Sequence, residues 1–279
     1  MKKNIFFLTL FFFINLNVFS QIPPQVPIIK QPKEVVVTQF DKILDSLKVN
    51  GSILIYDPKK ETYFSNNFNW AKTGIIPAST FKIPNSIIAL ETGVVKNDSI
   101  IFKWNGEKRA FKKWEEDLTF KKAFQVSCVP CYQEIARKIG FKRMETYLKK
   151  IGYPKMVFDS KTIDDFWLKG ESKISQKQQI EFLKQFYYSE LPISKRTEII
   201  LKDIMQIQKT NESVLSGKTG WGMRGEKDNG WIVGYLETKN TVYFFATNIE
   251  PQEQNNTNDF ASKRIDATKE AFRNLKILK

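Results

Sequence analysis

The sequence predicts an α+β fold: an antiparallel β-sheet flanked by helices and built from both ends of the chain, with an all-helical subdomain inserted between them. Three observations predict it. β-prone runs stand near the front, at Gly51–Tyr56 and Glu61–Ser65, and again at the back, at Val214–Gly217, Trp231–Leu236 and Thr241–Asn248. Between them, apolar residues recur mostly at helical spacing, and a last amphipathic segment, Phe260–Leu275, closes the chain. The expected sheet therefore comes from about 50–65 and 212–250 with the C-terminal helix, and the helical subdomain from about 100–205.

In chain order, residues 1–20 read as an export signal. Lys2 and Lys3 form a charged start, Ile5 to Ile14 an apolar run too short to span a bilayer, and Val18-Phe19-Ser20 precedes a cut near Ser20–Gln21. The expectation is one mature domain, 21–279, that is periplasmic or secreted and has no stable membrane association. Pro23, Pro24, Pro27 and Pro32 make residues 21–33 an extended arm. Phe40, Ile43, Leu44 and Leu47 give Gln39–Leu47 a helical face, and Asp57-Pro58-Lys59-Lys60 turns the first hairpin. A loop from Asn66 to Ile76 leads into Pro77–Asn85, which opens a helix continued by Ile87, Ile88, Leu90 and Val94. Pro84 falls within its first turn. Farther on, Phe120, Phe124, Cys128, Cys131, Ile135 and Ile139 predict one helical stripe over Leu118–Ile139. Ile163–Leu168 and Ser175–Tyr188 add amphipathic segments, the second capped by Ser175, and Glu237-Thr238-Lys239-Asn240 joins the last two strands.

Composition excludes much chemistry. There is no histidine among the 279 residues, so a Ser-His-Asp triad, a Cys-His dyad and an HExxH zinc site are impossible. The formal net charge is +14, yet lysines alternate with acidic residues, as in Lys112-Lys113-Trp114-Glu115-Glu116-Asp117. That pattern predicts a solvated basic surface with no nucleic-acid partner. Cys128 and Cys131 are the only cysteines. Without a second pair or any histidine they make no zinc site, and no metal is expected. Small buried side chains on a helix and a disulfide in an oxidising compartment both remain open.

Serine chemistry without histidine needs another base. Ser79 is the only serine followed three residues later by lysine, Lys82, and one helical turn brings the two onto one face. By itself the spacing is weak, since about one S-x-x-K is expected by chance in a chain of this length. Three further elements strengthen it: Ser127-Cys128-Val129 in the helical region, Phe166-Trp167, and Lys218-Thr219-Gly220-Trp221-Gly222 on the first late strand. A lysine and a hydroxyl on a strand edge can bind a carboxylate, and Gly220 allows close approach. The backbone N–H groups of Ser79 and Trp221 would form an oxyanion hole. A second triplet, Lys72-Thr73-Gly74, lies five residues before Ser79 and reads as a loop lysine.

In this order and spacing, S-T-F-K, S-x-V and K-T-G resemble the class D (OXA-type) serine β-lactamases. The resemblance runs from about Gly51 to the end, through Pro77–Asn85, Val126–Ala136 and Phe166-Trp167-Leu168-Lys169-Gly170. It implies a serine β-lactamase or transpeptidase-like fold, a β-lactam as small-molecule partner, and an acyl-serine intermediate on Ser79. It further implies that Lys82 is N-carboxylated by CO2 as general base, with no separate cofactor. Ser127 resembles the proton relay, Trp167 the indole that bonds the carbamate, Lys218 and Thr219 the substrate-binding pair, and Arg264 the arginine that holds the substrate carboxylate. Phe81, Val129 and Trp167 are expected to surround Lys82 with apolar surface, which lowers a lysine's pKa. One motif departs from the family: Tyr153-Pro154-Lys155 stands where Tyr-Gly-Asn is common.

Phe111 and Met223 match places where some carbapenem-hydrolysing members carry an aromatic and a methionine that meet over the cleft. A Met–aromatic contact of about 0.3–1.5 kcal/mol could hold such a roof partly closed. Phe111 packed into the helical subdomain, with Met223 loose on its loop, is the other reading. The competing functions are a penicillin-binding transpeptidase, a β-lactam sensor that stays acylated, and a non-enzymatic basic envelope protein. The first usually has an anchor and the second several membrane helices, and neither is seen in this sequence. The third is opposed by intact Ser79, Lys82, Ser127 and Lys218.

Overall fold

The computed structural model describes residues 31–224, 227–253 and 259–278. The expected signal peptide, its cut and most of the proline arm lie outside the described residues. In order come β1 (Lys33–Val36), α1 (Gln39–Ser46), β2 (Val49–Asp57), β3 (Thr62–Ser65), α2 (Phe68–Lys72) and α3 (Lys82–Glu91). The middle holds β4 (Ile101–Phe102), β5 (Leu118–Thr119), α4 (Phe120–Gln125), α5 (Val129–Ile139), α6 (Phe141–Lys150), α7 (Gln176–Tyr187) and α8 (Lys195–Ile204). The chain ends with β6 (Gln206–Lys209), β7 (Ser213–Arg224), β8 (Lys227–Thr238), β9 (Val242–Pro251) and α9 (Phe260–Asn274).

Seven strands form one sheet in the order β1-β3-β2-β9-β8-β7-β6, so the two ends of the chain meet at the β2–β9 pair. Because side chains alternate across a strand, each central strand feeds two cores. In β2, Ile53 and Ile55 join Phe40, Leu44, Ile249 and Phe272 under α1 and α9. Leu54 and Tyr56 face the other way, into the larger core shared with α3 and α7. In β8 the same alternation sends Ile232 and Leu236 to the first core and Trp231, Val233 and Tyr235 to the second. Each fully buried large side chain contributes about 1.5–3 kcal/mol.

The structure corrects the expected fold at four points. The sheet is not wholly antiparallel, because β1 pairs with β3 in parallel. β1 ends the proline arm as an edge strand with three of its four residues exposed, so it has no alternating pattern to read. β6 is likewise exposed throughout and was not expected. The stripe over Leu118–Ile139 is broken between α4 and α5, where Ser127 takes a left-handed φ of +59°. Ile163–Leu168 forms successive turns rather than a helix.

The Ser175 cap is present as a full capping box. Ser175 Oγ accepts from the Gln178 N–H at 3.2 Å, and Gln178 Oε1 accepts from the Ser175 N–H at 2.9 Å. This fixes the start of α7, whose Gln179 Nε2 donates to Thr80 Oγ1 at 2.8 Å. Thr80 Oγ1 in turn donates to the Pro77 carbonyl at 2.6 Å. The segment before α3 is thus tied to the helical layer.

Candidate active site

Ser79 lies in a short 3₁₀ turn, Ala78–Phe81, that runs directly into α3. Its N–H stands in the first turn, where no intrahelical partner is available. Ala78, just before it, is held at φ +49°, and Ser127 is the other site residue with positive φ. Non-glycine residues in this region cost about 1–3 kcal/mol each, and such strain clusters at functional sites.

β7 supplies the facing wall. β6 covers only its first half, through Ser216, and beyond that the edge of β7 lies against the Ser79 segment. The Gly217 N–H donates away from β8, to the Met205 carbonyl at 2.9 Å. The β7–β8 register is unbroken, so the period of two turns the Thr219 and Trp221 N–H groups to that same open edge. The Trp221 N–H therefore points to the side on which Ser79 lies, as an oxyanion hole requires. Gly220 permits the approach: a Cβ there would sit 3.2 Å from Thr80 Cγ2 and 3.3 Å from the Pro77 carbonyl oxygen.

Lys82 is almost wholly buried, and its Nζ donates to Ser79 Oγ at 3.0 Å. Burial pushes its pKa down to about 7, so much of the amine is neutral at physiological pH. Phe81, the residue before Lys82, stacks on Trp167 with centroids 5.5 Å apart. Tyr132 presents its ring 5.0 Å from Lys82 Nζ and hydrogen-bonds Ser86 Oγ at 2.8 Å. Trp167 Nε1 is buried without a hydrogen-bond partner, which costs about 1–3 kcal/mol if nothing accepts from it.

A cavity of about 220 Å³ opens over Ser79 and is lined by Ser127, Val129, Thr219, Gly220, Trp221, Arg264 and Phe111. Seven further expected residues are therefore brought together at the nucleophile. Lys218 lies in the wall of an adjoining cavity of about 400 Å³ that shares Gln125 and Thr219 with the first. Its Nζ donates to the Thr219 carbonyl at 2.9 Å. Burial, then the charges of Lys82, Arg264 and Lys113, hold its pKa well below the usual lysine range. Arg264 donates to the Gly220 carbonyl at 2.9 Å, and burial lowers its pKa only to about 10, so it stays charged. The charged Arg264 guanidinium on the Ser79 cavity wall suits an anionic ligand.

Phe111 and Met223 are not placed in one cavity. Phe111, 49% exposed, packs edge-on to Trp114 at 4.8 Å over the Ser79 cavity. Met223, 51% exposed, lines a neighbouring cavity, and Leu168 stands in the wall of both. Lys72, of the second K-T-G triplet, ends α2 and pairs with Glu34 at 3.0 Å. Tyr153 packs edge-on against Phe81 at 5.8 Å, with its hydroxyl buried and without a partner.

Sequence reasoning missed Lys113, Leu168 and Tyr132. Leu168 and Tyr132 stood inside quoted motifs, whereas Lys113 stood in a mixed-charge run that read as plain surface.

Comparison with known proteins follows this geometry. The penicillin binding protein transpeptidase domain family matches residues 49–274. Beta-lactamase OXA-10 of Pseudomonas aeruginosa is 42% identical over 216 residues, covering 76% of this chain and 81% of that protein. The class D β-lactamase YbXI from Nostoc superimposes with a TM-score of 0.81 at 44% identity, over 86% of this chain and 99% of that one. Regulatory protein BlaR1 of Bacillus licheniformis is 31% identical over 241 residues, which are 83% of this chain but 40% of that protein. Fold and site together define a serine enzyme of the penicillin-binding transpeptidase fold. Within that fold, the chain belongs to the class D β-lactamases, which are serine hydrolases.

Proposed function

We propose that the protein hydrolyses the amide bond of β-lactam antibiotics, penicillins first, through an acyl-Ser79 intermediate with N-carboxylated Lys82 as general base. The observation that carries this is the buried Lys82 amine, its pKa lowered to about 7, 3.0 Å from Ser79 Oγ. Only a neutral amine takes up CO2. A carboxyl group on Nζ would supply an anionic acid–base group beside Ser79, and the unpartnered Trp167 Nε1 fits it as donor.

Ser79 Oγ gives up its proton to the Lys82 side chain and attacks the lactam carbonyl carbon. The Ser79 and Trp221 N–H groups hold the oxyanion. Ser127 passes its proton to the ring nitrogen as the C–N bond breaks and is reprotonated from Lys82, which leaves an ester on Ser79 and Lys82 free to act as base again. Water, deprotonated at Lys82, then attacks the ester and frees Ser79 with the ring-opened acid. Throughout, Arg264, Lys218 and Thr219 hold the substrate carboxylate. Replacing Arg264 by alanine removes charge-assisted bonds of about 1.5–3 kcal/mol and should raise KM roughly tenfold or more, with a smaller change in kcat.

Multiple-turnover hydrolysis of a penicillin by purified protein tests the reading. Release of many equivalents of ring-opened product is expected. A halt after one equivalent would make the chain a sensor or transpeptidase, the activity class in which the BlaR1 likeness would matter. Export to the periplasm belongs to the same reading. Among the described residues no helix is long and apolar enough to cross a membrane.

The small cavity, roofed on one side by Phe111, favours compact substrates, and we extend the proposal to carbapenem hydrolysis with poor activity on bulky cephalosporins. Phe111→Ala, which opens the wall of the Ser79 cavity, should weaken carbapenem affinity and turnover. Unchanged kinetics in that variant would remove this side chain from substrate selection.

A further inference from the structure

The Cys128–Cys131 disulfide lies against the proton-relay serine, and we propose that it is a positioning brace for the reaction. The proposal rests on the reading of Ser127 given above. α4 ends in a Schellman motif: the Ser127 N–H bonds to the Phe124 carbonyl at 3.1 Å and the Cys128 N–H to the Ala123 carbonyl at 2.8 Å. Ser127 occupies the left-handed position of that motif, at φ +59°, where glycine is the usual residue. A hydroxyl at this place sits at a steric cost, and the turn relaxes unless its surroundings hold it.

The disulfide supplies that hold. Cys128 caps α5, its Sγ accepting from the Cys131 N–H at 3.2 Å, and Pro130 within the first turn has no N–H to add. The S–S bond therefore ties the residue after Ser127 to the third residue of α5, making the turn and the helix start one covalent unit. Both cysteines are buried, so the brace is shielded from solvent.

Three side chains around this unit face the chemistry. Ser127 and Val129 line the Ser79 cavity, and Tyr132, next to Cys131, lies 5.0 Å from Lys82 Nζ. Trp114 Nε1 donates to the Val126 carbonyl at 3.0 Å, a single neutral bond that cannot fix the turn alone. Movement of the first turn of α5 shifts relay, cavity wall and the ring under the base together. A misplacement near 1 Å costs about a hundredfold in rate.

The test compares wild type with Cys128→Ala/Cys131→Ala and Cys128→Ser/Cys131→Ser, using pre-steady-state acylation by a penicillin, quenched and read by intact-protein mass spectrometry, and amide hydrogen exchange. Wild type unfolded in denaturant with a trialkylphosphine and refolded under reducing conditions gives a third arm if the variants fail to fold. There the phosphine takes oxygen from water to become its oxide, and the S–S bond gains two electrons and two protons to yield two thiols. The brace predicts an acylation rate constant lowered about tenfold or more, pre-acylation affinity within about twofold, and faster exchange confined to Ser127–Tyr132. Acylation within about twofold of wild type, or exchange unchanged across that segment, overturns it. Exchange needs no turnover. A wild type that hydrolyses no β-lactam would sink the enzyme reading alone, and the brace would still be judged by exchange.

Discussion

Ser79→Ala removes acylation altogether, and intact-protein mass spectrometry after incubation with a penicillin shows no adduct. Ser79 Oγ lies 3.0 Å from a buried amine with lowered pKa, at the start of a helix and against the open edge of β7. Removing the nucleophile of a serine hydrolase costs about a millionfold in kcat, because the rest of the site has no reacting atom to position. The substitution deletes a single oxygen whose one side-chain bond among the described residues is to Lys82, so the fold should persist. A stable adduct on the variant would move the nucleophile elsewhere.

Lys82 carries the second large effect, and its sign follows from burial. Desolvation disfavours the charged form, which lowers the pKa to about 7. Below that value the amine is protonated and can neither take up CO2 nor accept the proton of Ser79. Activity is therefore present on the alkaline side and lost as pH falls through about 7, and added bicarbonate should recover part of the loss near the midpoint. Lys82→Ala should lose deacylation as well as most acylation, each by about a hundredfold or more. Trp167→Phe keeps the stacking on Phe81 but removes the indole donor, so it should need more bicarbonate for the same rate. If Lys82→Ala deacylates as fast as wild type, water is activated by another group.

The parts legible in the sequence are those with strong local rules. S-x-x-K placed two groups on one helical face, K-T-G named the strand that meets them, and the β-prone run Gly51–Tyr56 marked a sheet strand. The parts that were not legible depend on pairing or on conformation. β1 and β6 carry few buried side chains and exist because a neighbouring strand offers hydrogen bonds. The break at Ser127 needs a left-handed residue that helical periodicity cannot register, since Phe124 and Cys128 keep their spacing across it. C-x-x-C left two readings open that only the geometry separates, because spacing does not report whether two sulfurs face one another. Lys113 joined the site through tertiary charge proximity, which no local pattern encodes.

The central claim, that Lys82 works as a carboxylated base, is tested most directly by carbon NMR of the protein in isotopically labelled bicarbonate, read alongside penicillin turnover. The account predicts one carbamate resonance that is absent from Lys82→Ala, fades as pH falls through about 7, and rises and falls with the hydrolysis rate. Full turnover in CO2-free buffer with no such resonance would contradict it.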